Sequence, residues 1–305
     1  MKKMFCLSKE NLDLAINEVL ALTKNIKFMT FDNLLVLDTD LDLKNRLAYT
    51  HSIYKFLFKE KVTEFKKKIK EYDWNKIFNK NYCVRCHGFE NKMEKELAGL
   101  IWEKLASPEV NLDNPETKIE FFLKGKDAVA GLFLSDTDKS YNKRKAPLRP
   151  EFHPSSLHPR LAKAMINLSG KREGELLDPF CGTGGILIEA GILGYKINGY
   201  DLQKNILEMC RKNLDFYGIT KYNLVQKDSR YIKKKFDLIV TDLPYGKNSK
   251  ADNLREIYLN FLNSSYLKTE VIVAGFPDFI DSRDIIKKTK WSIKKKFFYY
   301  LHKSL

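Results

Sequence analysis

The run LLDPFCGTGGILIEA, Leu176 to Ala190, constrains this chain more than any other stretch. An apolar strand ends in an acid, Asp178, and a turn carrying Gly182, Gly184 and Gly185 opens a helix-like segment. Glycine lets backbone approach a ligand closely, and such a turn at the carboxyl edge of a parallel sheet marks a nucleotide-type site. The dinucleotide fingerprint spaces its glycines as GxGxxG, whereas DPFCGTGG places an acid and a proline where a pyrophosphate has no use for them. A carboxylate at Asp178 suits the cationic end of a zwitterionic amino-acid moiety instead.

The pattern downstream agrees. Ile197–Tyr200, Tyr222–Gln226, Phe236–Thr241 and Val271–Gly275 are short apolar strands separated by helical segments, with a late strand expected within Trp291–His302. Such alternation predicts βα units stacked into a mostly parallel, doubly wound sheet. Asp201 ends the next strand, close to the ~20-residue interval at which an acid reaches ribose hydroxyls in this fold. Asp228 follows the third strand, where an adenine amine would lie. Each of these aspartates also fits a simple helix cap, and the ligand reading rests on their recurrence after successive strands.

The first half reads differently. Residues 3–59 alternate short apolar runs with helical spacings such as Leu12, Ile16, Val19 and Leu20, which predicts a small α+β unit. A lysine-rich helix over 59–71, a strand over 82–87, a helix over 91–106 and strands over 118–124 and 128–134 predict a second α+β unit. DTDKSYNKRKAPLRPEFH, Asp136 to His153, is polar, basic and proline-bearing, and reads as a linker or exposed loop. The expected domains are therefore 1–58, 59–137 and 154–305, with 138–153 between.

With 305 residues the chain can bury a core without disulfides, and five scattered cysteines suit a reducing compartment. The opening is too short in apolar residues for a secretory signal and no run is long enough to span a bilayer, so a cytoplasmic protein without membrane attachment is expected. A net charge of +15 and a pI near 9.3 favour an anionic partner, nucleic acid first. The preponderance of lysine over arginine also fits growth temperature or genome composition, so charge alone stays a hint.

FDLIVTDLPYGKNS, Phe236 to Ser249, resembles the [D/N]-P-P-Y signature of methyltransferases that act on exocyclic amines of nucleobases. A conjugated amine is a poor nucleophile, so acceptors must grip its hydrogens and aim its nitrogen. The resemblance assigns that work to Asp242 and the carbonyl of Leu243, in the turn closed by Pro244, with Tyr245 stacked on an extruded base. It implies S-adenosylmethionine as cofactor, lined by Asp178, Phe180, Gly182, Thr183, Gly184, Gly185, Asp201, Asp228 and Asp242, and it implies no metal. Leu243 stands where the signature has its first proline, which restores a backbone N–H and is expected to loosen the turn.

RPEFHPSSLHPRLAKAMINLSG, Arg149 to Gly170, and KIEFFLKGKDAVAGLFLSDTDKSYNKRK, Lys118 to Lys145, resemble archaeal tRNA guanosine N2-methyltransferases that carry a THUMP RNA-binding domain. The likeness is to the position-ten type, with the position-six enzymes as near relatives. It implies a Rossmann-like doubly wound methyltransferase domain preceded by α+β ferredoxin-like (1–58) and THUMP (59–137) domains. It also implies tRNA as partner, with no obligatory protein partner. Arg85, Lys143, Arg144, Lys145 and Arg149 are the expected RNA contacts. A DNA amino-methyltransferase and a catalytically silent RNA-binding protein are the competing readings. Cys83-Val-Arg-Cys86-His87 matches half of a zinc site but reads as a strand, having no second pair.

Overall fold

The computed structural model describes residues 1–154, 156–245, 251–277, 282–289, 291 and 298–303. The chain divides into two units: Met1–Ile16 with Asn25–Asn45 and Thr50–Thr137, and Asn17–Lys24 with Arg46–Tyr49 and Asp138–Leu305.

In chain order the first unit contains β1 (Lys2–Leu7), the start of α1 (Leu12–Thr23), β2 (Phe28–Phe31), β3 (Leu34–Asp38), β4 (Thr50–Lys61), α2 (Val62–Glu71), β5 (Asn81–His87), α3 (Met93–Trp102), β6 (Glu109–Val110), β7 (Thr117–Lys124) and β8 (Asp127–Asp136). These strands form one sheet in the order β2-β3-β1-β4-β8-β7-β5-β6. The 58/59 boundary expected from sequence falls inside β4, which pairs with β1 on one side and β8 on the other. Both α+β stretches therefore share a continuous hydrogen-bonded ladder. Phe65 and Ile69 of α2 and Leu97 and Ile101 of α3 pack on Phe58, Val84, Ile119 and Phe121, the alternate residues of the strands beneath them. Opposite parity on β5 separates Cys83 from Cys86, and both thiols are free. Among the described residues no cluster of histidine, cysteine and acid is placed to hold a metal.

The second unit contains α4 (Pro159–Leu168), β9 (Glu175–Asp178), α5 (Gly185–Ile192), β10 (Lys196–Asp201), α6 (Lys204–Phe216), β11 (Tyr222–Gln226), β12 (Leu238–Asp242), α7 (Ala251–Ser265), β13 (Ile272–Pro277), α8 (Ser282–Lys287) and β14 (Phe298–Lys303). Its six strands are all parallel, in the order β11-β10-β9-β12-β13-β14. The expected α/β doubly wound domain is present. The order reverses between β9 and β12, and ligands of such sheets bind in the crevice at that switch point. Leu177, Ile239, Tyr258, Phe261 and Phe276 are fully buried around these strands. Each contributes roughly 1.5–3 kcal/mol by leaving water. Of the late strand expected within Trp291–His302, Phe298 onward forms β14, while 292–297, with the Lys294–Lys296 cluster, lie outside the described residues.

Glu18 explains why two short early pieces belong to this unit. Its buried carboxylate accepts from the N–H groups of Ala48 (2.8 Å) and Tyr49 (2.9 Å) and from Asn167 Nδ2 (2.7 Å). Three donors satisfy a charge that burial would otherwise expel, and burial still pushes its carboxyl above the usual range.

Candidate active site

β9 delivers Asp178 to the switch point with 2% of its surface exposed. Its Oδ1 accepts from Thr241 Oγ1 (2.7 Å) and the Phe180 N–H (3.1 Å). Burial nevertheless pushes the carboxyl up to about 7, and the charges of Asp242 and Asp201 add to the rise. After it the chain turns through left-handed conformations at Gly182 (φ 51°) and Gly184 (φ 90°), which a side chain would strain. Gly184 is constrained twice, because a Cβ there would lie 2.8 Å from Cys210 Sγ.

The neighbouring segments lock this turn. Asn213 of α6, fully buried, donates to the carbonyls of Thr183 and Glu151 (both 3.0 Å) and accepts from the Glu151 N–H (3.0 Å). Ser156 and Thr183 share a hydroxyl hydrogen bond of 3.1 Å. Neither Asn213 nor Ser156 was singled out by sequence. An asparagine in an amphipathic helix carries no pattern that distinguishes a buried strut from a surface residue.

Asp201 takes the Gly182 N–H on Oδ2 (3.2 Å) and the Gln203 N–H on Oδ1 (2.9 Å), so it braces the turn from the end of β10. Asp228 behaves as a cap: it accepts the Arg230 N–H (2.8 Å) at a short 3-10 turn, Ser229–Tyr231, and pairs with the Arg230 guanidinium at 2.7 Å. That hydrogen-bonded ion pair holds its carboxyl below the ordinary range. All three aspartates accept the N–H two residues on, and Asp228 adds the ion pair with Arg230.

β12 ends in Asp242, half-buried, whose Oδ1 accepts from Tyr245 Oη at 2.7 Å. Tyr245 is itself half-buried and lies beside Asp242. The loosening expected at Leu243 does not occur. Its restored N–H donates to the Gly275 carbonyl (3.0 Å), carrying the β12–β13 pairing one residue further, and its side chain is fully buried. Tyr258 Oη, from α7, donates to the Pro244 carbonyl. Backbone pairing and a buried hydroxyl thus hold a turn that the signature holds with a ring. Gly246 and the rest of 246–250 lie outside the described residues.

The expected RNA contacts divide. Lys143 and Lys145 are exposed. Arg144 is buried on the bidentate pair with Glu189 (2.7 and 2.8 Å), and Arg149 is buried with Nε on the Arg144 carbonyl (2.9 Å) and with Nη1 and Nη2 unpartnered among the described residues, so both guanidinium groups are turned away from solvent. Arg85 bonds Glu94 (3.2 Å) and the Leu112 carbonyl (3.1 Å) within the first unit. Residues 138–153 are a mostly exposed strap, as expected of this stretch, anchored by three buried side chains. The 3-10 turns Ser140–Arg144 and Ala146–Leu148 point Tyr141 and both arginines inward.

A family model described as "RMKL-like, methyltransferase domain" matches residues 147–303, from this strap through both motifs to β14. The chain belongs to the RMKL-like methyltransferase family. A second model, described as "DNA methylase", matches residues 1–212 and ends before the Asp242 turn of this methyltransferase. A "tRNA (guanine(10)-N2)-dimethyltransferase" of Methanothermobacter thermautotrophicus is 33% identical to it, covering 86% of this chain and 82% of that one. The protein of the same description from Pyrococcus abyssi is 34% identical, over 76% and 74%. A "tRNA (guanine(6)-N2)-methyltransferase" of Thermus thermophilus is 28% identical, over 59% and 54%.

Proposed function

We propose that this methyltransferase transfers a methyl group from S-adenosylmethionine to N2 of a guanine in tRNA, at position ten. The observation that carries the reading is the pinned Asp242-Leu243-Pro244-Tyr245 turn beside the switch point, with Tyr245 on the carboxylate. Two archaeal relatives named for guanine(10)-N2 dimethylation, each covering about three quarters or more of both chains, support the substrate.

The residues fit the cofactor. A buried acid at about pH 7 gains a counter-charge from an amino-acid ammonium, and the left-handed glycines leave backbone open beside it. Asp178, Phe180, Gly182, Thr183, Gly184, Gly185 and Asp201 would hold it, with Asp228 left to its cap and ion pair. When bound, the cofactor supplies an electrophilic methyl on a sulfonium. Asp242 and the Leu243 carbonyl accept the two hydrogens of the guanine amine and direct its lone pair. Tyr245 gives up its bond to Asp242 and stacks on the flipped base. Asp242 or water takes the released proton.

The first unit, which contains the residues expected to form a THUMP domain, and the exposed Lys143 and Lys145 would engage the tRNA by phosphate contact. Among the described residues no helix is long and apolar enough to cross a membrane. Methylating a tRNA transcript and the same transcript with position ten replaced, then analysing nucleosides by mass spectrometry, tests the assignment. N2-methylguanosine from the first alone is expected. Product from both transcripts moves the site to another guanine, position six first, and methylation of duplex DNA without tRNA product overturns the reading.

Asp178 makes binding pH-dependent. Its folded value of about 7 lies above the ordinary 3.8, so the folded protein retains a proton that the unfolded chain releases. Stability of the ligand-free protein from this group is thus full below the ordinary value and falls as pH rises to about 7. A cationic ammonium favours the ionised form. Affinity for S-adenosylhomocysteine should weaken by up to about tenfold per unit below that value, with proton release on binding. Calorimetry in buffers of different ionisation enthalpy measures both, and a flat profile from pH 5 to 8 on the order of twofold would remove Asp178 from the amine's partners.

A further inference from the structure

Gly275 sits in the middle of β13, a strand buried along its whole length, where glycine weakens pairing and fills no space. Its backbone is ordinary strand, outside the left-handed region, so no conformational demand explains it. The neighbour does. Gly275 lies in register with Asp242, and a Cβ built on it would stand 2.5 Å from Asp242 Oδ1. That same oxygen accepts the Tyr245 hydroxyl at 2.7 Å, and the Gly275 carbonyl accepts the Leu243 N–H at 3.0 Å. One residue without a side chain therefore touches both residues that carry the acceptors assigned to the amine, Asp242 through the space it vacates and Leu243 through the bond to its N–H.

We infer that Gly275 is a positioning residue for methyl transfer: the absence of its side chain forms the seat in which the Asp242 carboxylate is held toward Tyr245 and the substrate amine. The inference rests on the proposed role of Asp242. A side chain at 275 displaces only the end of a flexible acid, so the strand accepts it while the acceptor turns away. Misplacing a reacting group by about 1 Å costs on the order of 10²-fold in rate.

Gly275→Ala tests this through two readouts. The kcat for tRNA methylation should fall about 10²-fold, with KM for tRNA and the Kd of S-adenosylhomocysteine within about twofold. In an Asp242→Ala background, Gly275→Ala should bring no further loss of single-turnover rate, and it should raise the unfolding midpoint more than it does in the wild-type background, because the obstructing oxygen is gone. Wild-type kcat in Gly275→Ala, with Asp242→Ala inactive, overturns the inference and leaves the role of Asp242 standing. Equal midpoint shifts in the two backgrounds overturn it too. Full turnover by Asp242→Ala instead overturns the reading of the acid, and the midpoint comparison then still decides whether position 275 seats it.

Discussion

Replacing Asp242 with alanine is expected to lower the methyl-transfer rate by at least about 10²–10³-fold, the loss seen when one preorganised polar group is removed from a reacting centre. Affinity for tRNA should stay within about threefold, since the acid lies at the end of β12 and makes no phosphate contact in the proposed mechanism. Asp242→Asn keeps the size and one acceptor oxygen, so it should retain more activity than the alanine variant. A second signature separates a site effect from a folding effect. Asp242 is among the charges that raise the Asp178 carboxyl after burial, so its removal should lower the pH at which cofactor affinity is half-lost. Wild-type turnover by Asp242→Ala would reject the acid as acceptor, and an unmoved pH profile would show that the two carboxylates do not sense one another.

Most of the catalytic half was legible because its signals are local. A buried parallel strand must be a short apolar run, and five such runs coincide with β9 to β13 to within a few residues. Asp178 and Asp242 follow from being the first polar residues after two of those runs, and the reversal of strand order then brings their ends to one crevice. In the first half the strands were also visible, but their pairing was not. β4 is long enough at twelve residues to pair with β1 and β8 together, and alternation along one strand says nothing about which partners flank it. Contacts made across long sequence separations were the least legible. Gly275 reads as a strand interruption until Asp242 is seen in register with it, and Leu243 reads as a defect until its N–H is seen on the Gly275 carbonyl. In the strap, KRK offers three equivalent cations, and only the 3-10 turn decides that Arg144 faces inward while Lys143 and Lys145 face water.

The inward arginine leads to a large stability effect. Glu189, 1% exposed on α5, takes Arg144 Nε and Nη2 on its two oxygens at 2.7 and 2.8 Å. Arg144 Nη1 reaches Ser140 Oγ at 3.1 Å, and the Arg144 carbonyl takes Arg149 Nε. Burial pushes the Arg149 guanidinium below its ordinary value, and Glu189 is among the groups that oppose this. The carboxylate therefore pairs with one buried cation and only partly opposes the burial of the second, whose Nη1 and Nη2 have no hydrogen-bond partner among the described residues. Glu189→Ala should destabilise the protein by about 3–5 kcal/mol in denaturant unfolding, since it leaves a charge buried without its partner. The pair replaced together, Arg144→Met with Glu189→Leu, should recover most of that loss, because the desolvation of both ions disappears with their attraction. If Glu189→Ala unfolds within about 1 kcal/mol of the wild type, the pair is hydrated in solution and the strap does not depend on it. Should the large loss appear, the strap is a structural part of the catalytic unit. It then holds α5, the helix that the glycine turn opens, at its middle, and variants of Arg144 that weaken tRNA methylation would act through that helix, leaving the salt dependence of tRNA binding unchanged.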